Sequence, residues 1–201
     1  MDTAERLITS TQQLLWERGY VGTSPRAIQE LAGAGQGSMY HHFRGKPDLA
    51  VAAMRRSAAD LRALVEAELA EGGSALESLA GYLTRERDPL RGCRVGRLSM
   101  DPDVVAAPEL REPVQETFAW LRELLAGLVA EAVEAGELHP DLDPGQTASA
   151  VAAVVQGGYV LARAAGDRAP FDEAVRGALA LLRASAPPTP PTATGRPDEG
   201  S

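Results

Sequence analysis

Three histidines and one cysteine are the side chains of this chain best suited to metal or nucleophilic chemistry. His41 and His42 are adjacent, and successive helical residues point about 100° apart, so the pair cannot readily share one metal ion. The single cysteine, Cys93, can form neither an internal disulfide nor a zinc site built on several cysteines. No nucleophile–base pair, phosphate-binding loop or metal-ligand spacing is visible. We therefore expect no enzymatic activity, no metal and no cofactor.

Cys93 could still act as a redox sensor. It follows Gly92 at a predicted helix start and lies between Arg91 and Arg94. Positive charges and a helix N-terminus together stabilise a thiolate, although most single cysteines are inert and buried. A redox-responsive function through Cys93 is therefore an alternative to be tested.

A second group of polar residues lies in the segment QGSMYHHF at positions 36–43. Met39 and Phe43 are four residues apart and predict the inward face of a short helix. This phase leaves Tyr40 and His41 on the outer face, where they could reach phosphates or a base edge. The segment is therefore a candidate for contact with nucleic acid.

The preceding residues complete a helix-turn-helix pattern. Residues 3–18 predict a supporting helix with apolar residues at helical spacing. Ser24 followed by Pro25 predicts the start of a short second helix, because serine caps helices and proline is favoured in their first turn. The glycine-bearing turn at 33–35 separates that helix from the one at 36–43. Two short helices across such a turn, after a supporting helix, are typical of helix-turn-helix proteins.

The rest of the chain also predicts helices. Aromatic residues make up only 4% of the chain and alanine is the commonest residue, so strands have little to be built from. Glycine and proline positions divide the remainder into about six helices, near 47–71, 75–87, 93–100, 109–135, 144–165 and 170–184. We predict an all-α fold with a three-helix helix-turn-helix domain over 1–46, a helical domain over 47–186, and a disordered proline-rich tail over 187–201.

Charge is unevenly distributed along the sequence. Residues 1–46 carry five cations and four acids, whereas residues 47–201 carry 15 cations and 24 acids. Because phosphate contacts reward clustered cations, DNA contact is expected only in the N-terminal segment. The first residues lack an apolar signal sequence, and no uninterrupted run of about 18 apolar residues predicts a membrane span. These features indicate a cytoplasmic protein.

The N-terminal pattern is specific in both residue type and spacing. It runs through Gly19-Tyr20, Thr23-Ser24, Ile28, Leu31-Ala32-Gly33, Gly37-Ser38-Met39-Tyr40-His41-His42-Phe43, Lys46 and Leu49. This pattern resembles the tetracycline-repressor (TetR) family of bacterial transcriptional regulators. A weaker resemblance to the multidrug- and small-molecule-responsive members runs through Gly92-Cys93, Glu109-Leu110-Arg111 and residues 157–163. The resemblance implies a homodimeric repressor that a small-molecule effector releases from double-stranded operator DNA.

The resemblance places DNA contacts at the starts of the two short helices. The opening residues of the second helix meet base edges in this geometry, and Gln36 can pair with two atoms of an adenine edge. The start of the first short helix favours phosphate, because it offers hydroxyl groups, backbone amides and the positive end of the helix dipole. The expected DNA-binding residues are Thr23, Ser24, Arg26, Gln36, Gly37, Ser38, Tyr40, His41 and Lys46. The family often has serine and lysine where Gly35 and Gln36 stand, so the resemblance does not predict the operator sequence.

The resemblance also implies an effector pocket in the helical domain. An apolar stripe over 118–125 predicts core packing, and the same stripe can line a cavity. The expected pocket residues are Tyr82, Cys93, Arg97, Met100, Phe118, Leu121, Leu125, Gln156 and Tyr159. Gly157 and Gly158 each cost about 1 kcal/mol relative to alanine inside a helix. This cost predicts close helix packing or space for a ligand there.

The last two predicted helices, 144–165 and 170–184, are rich in small and aliphatic side chains. Two copies would form a four-helix dimer interface, which a twofold operator requires if two recognition helices are to lie about 34–36 Å apart. The expected interface residues are Val151, Val154, Val155, Val175, Leu179 and Leu182. The same residues could instead pack only within one subunit.

Two other classes of protein remain as remote alternatives, a helical enzyme and an interaction module that does not bind DNA. The absence of a catalytic constellation argues against the enzyme. The outward Tyr40 and His41, Lys46 and the uneven charge argue against the interaction module.

Overall fold

The computed structural model describes residues 2–70 and 72–186 as nine α-helices and one short 3₁₀ helix, with no β-strand among these residues. The α-helices are α1 (Thr3–Arg18), α2 (Pro25–Ala32), α3 (Gln36–His42), α4 (Lys46–Ala70), α5 (Ala75–Thr84), α6 (Pro102–Ala106), α7 (Pro108–Glu134), α8 (Pro144–Ala165) and α9 (Ala169–Ala184). The predicted all-α fold is confirmed. The predicted disordered tail, 187–201, lies outside the described residues.

The segment between α5 and α7 differs from the sequence prediction. A turn and the 3₁₀ helix Gly96–Met100 replace the helix expected over 93–100, and α6 occupies a stretch expected to be a break. Asp101 explains the second difference, since its side chain accepts the Asp103 backbone N–H at 3.2 Å and caps α6 ahead of Pro102.

Three clusters of buried side chains organise the chain. The head core joins α1, α2 and α3 to the start of α4 through Leu7, Leu14, Ile28, Ala32, Met39 and Leu49. The junction core joins α1 and α4 to the α5–α7 segment through Leu15, Tyr20, Ala50, Ala53, Met54, Val95, Leu98, Val104, Leu110 and Val114. The body core is formed by α5, α7, α8 and α9. Because α4 contributes to the first two clusters, it connects the head, α1–α3, to the rest of the chain.

Helices α8 and α9 approach each other closely at a glycine. A Cβ at Gly158 would lie 2.8 Å from the Phe171 ring, closer than real Cβ contacts. The close packing predicted from the paired glycines is therefore confirmed at Gly158. A Cβ at Gly157 would meet no atom within 4 Å, because that residue is exposed.

The buried face of α8 and α9 corrects the predicted dimer interface. Val151, Val155, Val175 and Leu182 belong to the body core and are only 2–7% exposed. The expectation that these four side chains bind a second subunit is wrong, because packing within one subunit already covers them. Val154 and Leu179 are half-buried and retain some accessible surface.

Helix α8 is long and apolar enough to cross a membrane when judged by length and composition alone. It packs between α7 and α9, and core helices of soluble proteins satisfy the same criteria. Only 33% of its most apolar window is buried in the subunit, so much of its apolar surface is exposed.

Candidate nucleic-acid interface and effector pocket

Helix α3 is a short helix fixed to the head by one side. It begins at Gln36 after Gly35, which is extended and makes no side-chain cap. Met39 is fully buried in the head core, and its sulfur lies 3.5 Å from the Gln29 side-chain amide. Burial of this side orients the remaining residues of α3 toward solvent.

The opposite side of α3 carries the predicted DNA-contact residues. Tyr40 is 51% exposed. The other accessible positions of α3 that were predicted to bind DNA are Gln36, Gly37, Ser38 and His41. A short exposed helix with amide, hydroxyl, phenol and imidazole groups can donate to and accept from base edges and phosphates.

The start of α2 supplies a second accessible surface. The Ser24 hydroxyl oxygen accepts the Ala27 backbone N–H at 3.1 Å and caps the helix. The Arg26 side chain is 87% exposed and pairs with Glu30 at 2.7 Å. Because the pair is exposed, it contributes little to stability, and Arg26 can exchange Glu30 for a phosphate.

Thr23 does not belong to the accessible surface. It is 1% exposed, and its hydroxyl donates to the Gly19 carbonyl at 2.7 Å. Thr23 therefore closes the loop between α1 and α2, and its predicted contact with DNA is wrong because the side chain is already bound inside the protein.

Lys46, which was predicted to bind DNA, and the nearby Arg44 have different environments in the structure. The Lys46 ammonium lies 3.8 Å from the centroid of the Tyr20 ring, and burial lowers its pKa against the opposing effects of Asp103 and Asp101. Lys46 is half-buried at the junction, and its contact with Tyr20 argues against the predicted phosphate contact, which stays a prediction. The Arg44 side chain is 93% exposed directly after α3. Sequence reasoning left Arg44 out of the predicted contacts, although its place beside the recognition helix was a usable signal.

The junction between head and body is held by specific hydrogen bonds. The Trp16 indole N–H donates to the Gly92 carbonyl at 2.8 Å, and the Arg97 guanidinium donates to the Trp16 carbonyl at 3.0 Å. The Asp101 carboxylate accepts the Tyr20 backbone N–H at 2.7 Å. The end of α1 is therefore bound to the segment that precedes α7.

Two arginines of this segment also bind Trp16. The guanidinium carbons of Arg91 and Arg94 lie 3.6 and 4.3 Å from the centroid of the indole ring. These are the arginines expected to stabilise a Cys93 thiolate. The cation–π contacts hold both guanidinium groups at Trp16, and the redox function through Cys93 stays an untested alternative.

A cavity of about 440 Å³ opens at the same junction, between the end of α1, the 3₁₀ helix and α8. Its volume is within the range of small-molecule sites. Five of the predicted pocket residues line it together, namely Cys93, Arg97, Met100, Gln156 and Tyr159. The head contributes Arg18 and Gly19 to the wall, and Asp101 also lines it.

The other four predicted pocket residues do not reach this cavity. Leu121 lies in the body core, and Phe118 packs between the body core and the junction core. Tyr82 and Leu125 line a separate cavity of about 320 Å³ between α4, α5 and α7. The apolar stripe of α7 therefore packs mainly in the core. Its spacing was also consistent with lining a cavity.

Positive charge dominates the junction cavity. Arg18, Arg97 and Arg163 line it with a single carboxylate, Asp101. Burial lowers the pKa of Arg97, and the charge of Arg163 lowers it further. Burial also raises the pKa of Tyr159 to about 12, so this phenol remains a hydrogen-bond donor at neutral pH.

The fold and these surfaces define a helix-turn-helix protein with a helical regulatory domain. The family profile described as "Bacterial regulatory proteins, tetR family" matches residues 7–53, and "Tetracyclin repressor-like, C-terminal domain" matches residues 74–178. The chain belongs to the TetR family of DNA-binding transcriptional regulators. The resemblance seen in the sequence is therefore confirmed.

Individual relatives agree with this assignment. The HTH-type transcriptional repressor DhaR of Mycobacterium sp. is 26% identical over 172 residues, covering 84% of this chain and 86% of the relative. A TetR-family regulator from Cytophaga hutchinsonii has the same fold, with a TM-score of 0.83 at 24% identity over 92% of this chain and 94% of that one. FadR of Bacillus subtilis, solved with stearoyl-CoA, gives a TM-score of 0.70 at 18% identity, covering 90% and 98% of the two chains.

Proposed function

We propose that the protein is a homodimeric repressor, released from its operator by a small-molecule effector that enters the junction cavity. The observation that supports this proposal is that two residues lining the cavity, Arg97 and Asp101, also form hydrogen bonds to the head. An effector can shift DNA affinity only if it binds the two conformations differently. A ligand touching these groups satisfies that condition. The repressor name of DhaR and the acyl-CoA bound to FadR support this reading.

We assign the DNA contacts to the accessible residues at the starts of α2 and α3. Base edges are contacted from α3, while α2 and Arg44 contact phosphate. The proposed contact residues are Ser24, Arg26, Gln36, Gly37, Ser38, Tyr40, His41 and Arg44. The DNA-binding domain comprises residues 1–46 and the effector and dimerisation domain residues 47–186. The protein acts in the cytoplasm and catalyses no reaction.

The test is binding of the full chain to DNA from upstream of its own gene, measured by fluorescence anisotropy. Gln36→Ala should weaken binding about 5- to 100-fold, the range expected for one base contact. Gln13→Ala is the matched control, because Gln13 is exposed on α1 outside the proposed surface. If the two variants bind DNA with equal affinity, Gln36 of α3 does not contact a base.

The dimer surface is the exposed apolar side of α8 and α9, adjacent to the buried residues named above. Small residues on α8 permit close approach of a second helix. Val160, Leu161 and Leu181 are 60%, 53% and 73% exposed. The proposed interface residues are Ala150, Ala153, Val154, Gly157, Val160, Leu161, Gly177, Leu179, Ala180 and Leu181.

Sedimentation equilibrium tests this surface. Glutamate at Leu161 and Leu181 together should convert the dimer to monomers without unfolding the subunit, because both side chains are exposed. Leu64→Glu is the control, since Leu64 is a 51% exposed leucine on α4. A double variant that stays dimeric would assign the interface to other helices.

A further inference from the structure

We infer that the junction cavity takes a small organic anion with an apolar body, and that its acid group binds Arg163 and Arg97. The inference rests on the proposed function, because it names the class of effector for that site. It also assigns the mechanism of release. An anion that engages Arg97 competes with the Trp16 carbonyl, which is one of the contacts holding the head to the body.

The first observation is an exposed arginine in the cavity wall that has no protein partner among the described residues. Arg163 makes no hydrogen bond or ion pair within residues 2–70 and 72–186, and its guanidinium lies near Gly92. Arg97 faces the same space, where burial and the nearby charge of Arg163 lower its pKa. A ligand carboxylate, sulfonate or phosphate would relieve this repulsion and accept forked hydrogen bonds.

The second observation concerns Arg87, a buried arginine near Tyr159. Arg87 is 9% exposed, and its guanidinium donates to the backbone carbonyls of Tyr82, Leu83 and Arg85. No carboxylate pairs with it in the part of the chain that the structure describes, and its Nε is buried without an acceptor. The positive charge of Arg87 counteracts the effect of burial on the Tyr159 pKa. The field behind the cavity is therefore positive as well, which favours an anion.

The remaining wall sets the shape of the ligand. Met100, Pro102, Cys93 and Val160 supply apolar surface to the same cavity. A cavity of about 440 Å³ admits a ligand of about one or two rings or a medium-length acyl chain. An inorganic anion would leave that apolar surface in contact with water, so an amphipathic anion fits better.

Two fluorescent probes that differ by one charge test the anion site. Anilinonaphthalene sulfonate is an organic anion, and phenylnaphthylamine is the same molecule without the sulfonate. Fluorescence titration of the full chain should give one sulfonate probe per subunit, bound at least tenfold more tightly than the neutral probe. Equal affinities, or no saturable binding of the sulfonate, would overturn the assignment of an anion.

Arg163→Gln locates the binding. Because Arg163 has no partner among the described residues, the variant should fold normally and weaken sulfonate binding about tenfold or more, leaving the neutral probe unaffected. Arg122→Gln is the matched control, since Arg122 is exposed on α7 away from the cavity. If both variants bind the sulfonate like wild type, the anion does not occupy this cavity.

A gel-shift experiment tests the coupling. Saturating anilinonaphthalene sulfonate should raise the dissociation constant for operator DNA at least fivefold in wild type and much less in Arg163→Gln. Unchanged DNA affinity with bound probe would refute the release mechanism. Failure to bind DNA without probe would instead refute the proposed function, so the two failures are distinguishable.

Discussion

Asp101 accepts the backbone N–H of Tyr20 at 2.7 Å across 81 positions of sequence, and its carboxylate oxygen also accepts the Val21 N–H at 3.0 Å. Gly19 makes this approach possible. Its φ of +73° is in the left-handed region that glycine adopts readily, and a Cβ there would lie 3.0 Å from the carboxylate. One side chain of the regulatory domain thus determines how the chain leaves α1.

Removing this carboxylate should weaken the junction. We expect Asp101→Ala to lower the free energy of unfolding by about 2–4 kcal/mol, because a buried N–H donor, that of Tyr20, and a part-buried one, that of Val21, lose a charged acceptor. Urea denaturation measures the change. Asp103→Ala, which removes an exposed acid two residues away, should cost less than about 1 kcal/mol. Similar losses in the two variants would show that the Tyr20 contact contributes little.

A second prediction concerns the close approach of α8 and α9. Gly158→Ala should destabilise the protein by about 1–2 kcal/mol, because displacement of the Phe171 ring outweighs the gain in helix propensity. Gly127→Ala is the control, since a Cβ at this exposed position of α7 meets no atom within 4 Å. That control should be stabilised by up to about 1 kcal/mol. Thermal denaturation should show a lower melting temperature for Gly158→Ala and an equal or higher one for Gly127→Ala. A Gly158→Ala variant as stable as wild type would contradict the close packing.

The sequence predicted several helix starts well because a capping side chain marks them. Ser24 accepts from the Ala27 N–H, and Asp143 accepts from the Gln146 N–H at 2.7 Å, as expected of capping residues. Helix α6 was missed because it has only five residues and its cap, Asp101, was interpreted as part of a break.

The candidate site was only partly predictable, because burial depends on distant segments. Nothing local distinguishes Lys46 from Arg44, yet Lys46 is half-buried against the Tyr20 ring and Arg44 is exposed. The valines of α8 show the same limit. Apolar spacing indicates a buried face, but only the packing of α7 and α9 decides that Val151 and Val155 face inward.

A third prediction follows from the raised pKa of Tyr159. Its pKa is about 12 in the folded protein against an ordinary value of 10.0. Above about pH 10 the unfolded chain loses this proton while the folded chain keeps it, so stability should fall between about pH 10 and 12. Burial also raises the pKa of Tyr82 and Tyr20, which adds to the fall.

Tyr159→Phe isolates this contribution. Unfolding free energies at about pH 9 and about pH 11 should show a fall that is about 1 kcal/mol smaller in the variant than in wild type. Absorbance titration of the folded proteins should show the variant lacking one tyrosine that ionises near 12. An identical alkaline fall in both proteins would mean that Tyr159 ionises normally.

The last prediction separates Arg44 from Lys46 by the salt dependence of DNA binding. Each phosphate contact contributes about 0.9 to the slope of log affinity against log salt concentration. Arg44→Gln should reduce that slope by about one per subunit, because its exposed guanidinium follows α3 directly. Lys46→Gln should leave the slope unchanged and lower stability slightly, since its ammonium lies over the Tyr20 ring. If Lys46→Gln reduces the slope as much as Arg44→Gln, Lys46 must leave the ring to bind phosphate, and the junction would then rearrange when DNA binds.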